Sequence, residues 1–134
     1  MDRSPVVRRF DEADEEVWSD ERGKLSFRTL LGDGSTATRD LTSGVARLGP
    51  GGFLALHRHA VPEVYHVISG RGVVTLEGTE HDVHAGAGVY IPSDLVHGIR
   101  NAGKETLEFV FVYQVDAADQ VEYVWVDPAQ PALE

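Results

Sequence analysis

From Leu25 onward the chain is cut into short runs rich in Val, Phe, Leu, Tyr and Thr: "LSFRTLL", "GVARLG", "FLALHRH", "EVYHVIS", "GVVTLEG", "GVYIP", "HGIRN", "TLEFVFVYQV" and "VEYVWV". Gly, Pro, Asp and Asn punctuate them at close spacing. A chain broken this often cannot build helices of useful length, and its strands are too closely spaced for crossover helices. The pattern predicts an all-β sandwich or barrel. "SGRG" at 69–72, "LEGTEHDV" at 76–83 and "NAGKE" at 101–105 read as hairpin connections. The expected organisation is an N-terminal segment over 1–24 packing on a barrel over 25–127, with a proline-containing tail over 128–134. Within the first segment, "DEADEE" at 11–16 reads as a solvated turn ahead of Val17 and Trp18.

A chain of 134 residues has room for one core, so a single fold has to carry whatever chemistry there is. A net charge of -10 repels phosphate backbones and anionic lipid, which argues against nucleic-acid and membrane-surface partners. The opening "MDRSPVVRRFDEADEEVW" has no apolar signal region and no apolar run reaches spanning length, so a cytoplasmic location is expected. Cysteine is absent, so any metal must be held by nitrogen and oxygen.

The stretch "LHRHAVPEVYHVISG" at 56–70 concentrates three of the six histidines beside a glutamate. Side chains alternate faces along a strand, so His57 and His59 point the same way. If alternation resumes after Pro62, then Glu63, Tyr65 and Val67 share a face and His66 points away. His97 follows a proline-containing turn in "VYIPSDLVHGIRN". Three imidazoles and one carboxylate suit a divalent transition metal, Fe, Mn, Ni, Co or Zn, and leave octahedral positions open for substrate. Periodicity alone does not separate such a site from an ordinary polar turn between strands. His66, His81 and His84 are read as surface or hairpin residues, and the glycines of "HAGAGVY" as turn residues with no helix N-terminus behind them.

Gly51, His57, His59, Glu63 and Gly70 form G-x5-H-x-H-x3-E-x6-G; Gly86, Pro92, Asp94, His97 and Asn101 form G-x5-P-x-D-x2-H-x3-N. These resemble the two cupin motifs at nine of ten positions, with Asp94 where the family usually has glycine. The resemblance implies a double-stranded β-helix, or jelly-roll, barrel with a metal inside, held by His57, His59, Glu63 and His97. Trp18, "PGG" at 50–52, "EVY" at 63–65, "VYIP" at 89–92, "GKETLEF" at 103–109 and "VEY" at 121–123 are further similar to small dimethylsulfoniopropionate lyase cupins. That likeness implies a small carboxylate substrate and places Tyr65 and Tyr123 as catalytic tyrosines. An iron-dependent dioxygenase, an isomerase and a non-enzymatic ligand-binding cupin are the alternatives. Phe109, Phe111 and Tyr113 alternate with Val110 and Val112, a strand apolar on both faces, which predicts a homodimer packed through the sheet.

Overall fold

The computed structural model describes residues 4–126. The tail expected over 128–134 lies outside them. Eleven strands follow in chain order: β1 (Glu16–Asp20), β2 (Gly23–Leu31), β3 (Thr42–Leu48), β4 (Phe53–Arg58), β5 (Glu63–Ser69), β6 (Arg71–Leu76), β7 (Thr79–His84), β8 (Gly88–Ile91), β9 (His97–Asn101), β10 (Leu107–Tyr113) and β11 (Val124–Trp125). Two single 3-10 turns, Phe10–Glu12 and Ala118–Gln120, are the helical elements among the described residues. No helix there is long and apolar enough to cross a membrane.

All strand pairs are antiparallel, and the sheet runs β7-β6-β9-β4-β2-β3-β10-β5-β8, with β1 added on β2 and β11 on β4. Sequence neighbours such as β5 and β6 lie far apart in this order. The sheet curls round one interior as the jelly-roll expected from the sequence. Two of the three connections read as hairpins are instead crossings from one part of the sheet to another. Gly70, between β5 and β6, has φ +85, and a Cβ there would meet the Thr106 carbonyl oxygen at 2.5 Å. Asn101 organises the other crossing: its side-chain amide donates to the Leu48 and Glu105 carbonyls and accepts from the Gly103 N–H. Only 76–83 contains a true hairpin turn, through Glu77 and Gly78, both at positive φ. Turn-forming residues mark where the chain bends but not which strand it pairs with next.

β10 sits between β3 and β5 and drives Leu107, Phe109, Phe111 and Tyr113 into the interior. Each such burial contributes roughly 1.5–3 kcal/mol before entropic costs. The alternate residues Val110 and Val112 stay half-buried on the outer face. Residues 8–13 cover the part of that outer face formed by Arg28 of β2 and Arg47 of β3. The Arg28 guanidinium donates to the Phe10 and Ala13 carbonyls, and Arg28 and Arg47 lie 4.6 and 4.5 Å from the Phe10 ring centre.

Candidate metal centre

The fold brings four residues of two separate stretches into one place. His57 lies near the end of β4, His59 just beyond it, Glu63 opens β5 and His97 opens β9, directly opposite His57 in the strand pairing. All four are buried, at 0–3% exposure, in an interior otherwise built from apolar side chains. The loop between β8 and β9 is tied to the first stretch by the Asp94 N–H, which donates to the His59 carbonyl at 2.8 Å. Asp94 sits at φ +62, so it adopts the left-handed turn that the sequence assigned to a glycine position.

Each imidazole is oriented by a backbone carbonyl: Nδ1 of His57, His59 and His97 lies 2.8, 2.6 and 2.8 Å from the oxygens of Ala55, Val61 and Leu95. A carbonyl only accepts, so every Nδ1 carries the hydrogen and every Nε2 presents a lone pair. The three histidines offer ligand atoms that all lie within 4.8 Å of one another. Nε2 of His57 and of His97 is buried with no hydrogen-bond partner. Glu63 Oε1 approaches His59 Nε2 at 3.2 Å and His97 Nε2 at 3.4 Å. With each Nδ1 donating to a carbonyl, Nε2 is the nitrogen turned toward the carboxylate, and a cation between them would be met from both sides. Burial first, then the neighbouring His97 and His59, hold His57 down to about 3 against the Ala55 hydrogen bond, so it stays neutral at pH 7. The residues present therefore fit a divalent metal: imidazoles already aimed, second nitrogens anchored, and a carboxylate alongside.

A cavity of about 760 Å³ reaches this centre through Glu63, Tyr65, Tyr113 and Tyr123. Tyr123 stacks flat on His57, ring centres 4.9 Å apart, and its hydroxyl meets that of Tyr113 at 2.6 Å. Tyr65 packs against Phe109, and its hydroxyl has no hydrogen-bond partner among the described residues. Burial and the charge of Glu63 push all three tyrosines above their ordinary range; Tyr123 is drawn partly back by the Tyr113 hydroxyl. His66, His81 and His84 are exposed and away from the centre. Tyr113 is the residue that sequence reasoning assigned only to packing. Alternation placed it inside, but nothing in the sequence indicated that its hydroxyl meets one ten residues later.

The sequence matches the cupin domain family over residues 44–113. It is 40% identical over 101 residues to a dimethylsulfoniopropionate lyase of Ruegeria pomeroyi, covering 75% of this chain and 66% of that protein. The polyketide synthase CurC of Streptomyces cyaneus is 34% identical over 80% of this chain and 70% of its own length. Among solved structures, that of a predicted oxalate decarboxylase from Thermotoga maritima superposes with a TM-score of 0.72 at 29% identity, over 82% of this chain and 99% of the other. The chain thus spans just under two thirds of the lyase it matches. The family match takes in both histidine-bearing stretches and the strands that aim them; this chain belongs to the cupin family.

Proposed function

We propose that the protein is a metal-dependent lyase that cleaves dimethylsulfoniopropionate to acrylate and dimethyl sulfide. His57, His59, Glu63 and His97 are its metal ligands, and the metal is one of Fe, Mn, Ni, Co or Zn. The observation that carries this reading is the partnerless Tyr65 hydroxyl in the cavity beside Glu63, in a chain 40% identical to a lyase of that substrate. When bound, the metal supplies Lewis-acid polarisation of the substrate carboxylate, acidifying the adjacent carbon, and its charge offsets the rise that burial imposes on nearby tyrosines. Tyr65 removes the α-proton: the C–H pair becomes the Cα–Cβ double bond, and the Cβ–S pair leaves with sulfur as dimethyl sulfide. Tyr123, its hydroxyl fixed by Tyr113 and its ring by His57, orients the substrate. The surrounding aromatic walls exclude water from the transfer.

The test is a headspace assay for dimethyl sulfide on protein reconstituted with each metal, with His57→Ala as control. Release that vanishes in the variant supports the lyase. Bound metal without release for any metal, together with iron-dependent oxygen uptake on a candidate substrate, replaces it with a dioxygenase. A homodimer through the outer face of β3, β10, β5 and β8 belongs to the same proposal. Its support is the half-buried Val45, Val64, Val110 and Val112 with the exposed Ile68 and Tyr90, and a monomeric mass at micromolar concentration would overturn it.

A further inference from the structure

The wall of the cavity away from the histidines has a chemistry of its own. Trp18, Phe27, Phe111, Tyr123 and Trp125 all line it. They meet at steep mutual angles: Trp18 to Phe27 at 81°, Phe27 to Phe111 at 79°, Trp18 to Tyr123 at 63°. With ring centres 5.8 to 6.2 Å apart these pairs touch edge to face, so the five rings make one continuous aromatic wall. The charges around them are nearly all of one sign. Glu16, Asp20, Asp33 and Asp119 contribute to the lining, with Arg22 as its one cationic side chain. Arg22 lies 5.2 Å from the Trp125 ring centre. Asp33 is paired with Arg8, and Asp20 accepts from the backbone N–H groups of Arg22 and Gly23. Glu16 and Asp119 have no hydrogen-bond or ion-pair partner among the described residues. Glu16 is close enough to act electrostatically on Tyr123.

We infer that this aromatic wall is a subsite for a permanent onium group, a trialkylsulfonium or a tetraalkylammonium, and that it selects by charge and not by bulk alone. An alkylated onium ion is weakly hydrated, so it settles on an apolar wall at low desolvation cost. There the negative faces of the rings attract it, and Glu16 adds a carboxylate at the rim. A neutral group of the same shape gains the apolar contact but not the electrostatic attraction. An anionic group meets repulsion from Glu16 and Asp119. The inference deepens the lyase reading, since it places the leaving end of the substrate opposite the metal end. The binding it describes requires neither metal nor turnover, and so quaternary-ammonium carboxylates are expected to occupy the site as well.

The experiment uses metal-stripped protein held in chelator at constant ionic strength. It is titrated with tetramethylammonium chloride and, separately, with the near-isosteric neutral tert-butanol, and tryptophan fluorescence is followed. The expected result is a saturable response to tetramethylammonium with a midpoint about tenfold or more below that of tert-butanol. Trp18→Leu, which keeps apolar volume but removes a ring, abolishes the preference. Glu16→Gln, at an exposed position that does not bear on folding, weakens tetramethylammonium severalfold and leaves tert-butanol unchanged. Equal midpoints for the two probes, no saturable response, or an unaltered preference in both variants would overturn the inference. Dimethyl sulfide release without tetramethylammonium binding sinks the subsite and spares the lyase; binding without release does the reverse.

Discussion

The same inward-facing strands build two interiors of opposite character. At one end Leu48, Val74, Ile99 and Leu107 are 0–3% exposed and belong to the apolar core cluster. At the other, β9 turns from Ile99 to His97, β5 from Val67 to Glu63, and β10 from Leu107 to Tyr113. A few residues along a strand, the same depth of burial goes from satisfying every atom to leaving Nε2 of His57 and His97 without a partner. Apolar burial stabilises by itself, whereas buried imidazoles and a carboxylate cost free energy until a cation joins them. One end holds the fold together, and the other is held in place by it.

The largest expected effect breaks the comparison at the polar end. Partners that only orient a ligand are worth about 10- to 100-fold in metal affinity, so His57→Ala, which removes a proposed ligand, should exceed that loss and take the proposed lyase activity with it. Metal analysis after dialysis and the headspace assay check both. Metal added to the wild type should raise its melting temperature and chelator should lower it, with no response in the variant. At the apolar end, Leu107→Ala should cost about 2–5 kcal/mol in urea unfolding yet leave metal content per folded chain unchanged. If it also lost metal, the two ends would not be separable.

Acid should distinguish them next. His57 is held at about 3 in the folded protein and rises to its ordinary value near 6.5 on unfolding. A lowered folded value means the unfolded chain binds the proton more readily. The contribution to stability is therefore complete above about 6.5 and is lost as pH falls toward 3, by about 1.4 kcal/mol per pH unit within that window. Urea unfolding of metal-free protein between pH 7 and pH 4 should show this slope, and His57→Ala should flatten it relative to the wild type. The smallest effect is expected at Asp94, whose φ of +62 is tolerable for Asp and free for Gly. Asp94→Gly should change stability by less than about 1 kcal/mol, whereas Asp94→Val should destabilise by about 1–2 kcal/mol.

The polar end was the more legible of the two from sequence. Alternation put His57 and His59 on one face, and the resemblance to the two cupin motifs joined Glu63 and His97 to them as ligands; the structure groups the three histidines with Glu63 against two of them. Alternation also sorted His66 to the outside. It failed wherever the answer depended on a partner strand. The connections at 69–72 and 101–105 carry the same turn residues as a hairpin but cross the sheet. The Tyr113 to Tyr123 contact and the meeting of Trp18 with Phe27 depend on which strands lie side by side, a property of the curled sheet and not of any one segment.

Trp18 and Trp125 come from near opposite ends of the described residues, and their rings pack 5.9 Å apart in the cavity wall. A ribosome delivers the histidines and Glu63 well before Tyr123 and Trp125. The ion-holding part of the site is thus made first, and the wall that shapes its ligand closes last. A chain stopped short of residue 121 would keep all four proposed ligands while losing the face that Tyr123 lays over His57. The residues proposed to hold the ion thus lie between the two stretches, Trp18 to Phe27 and Tyr123 to Trp125, that meet to form the aromatic wall.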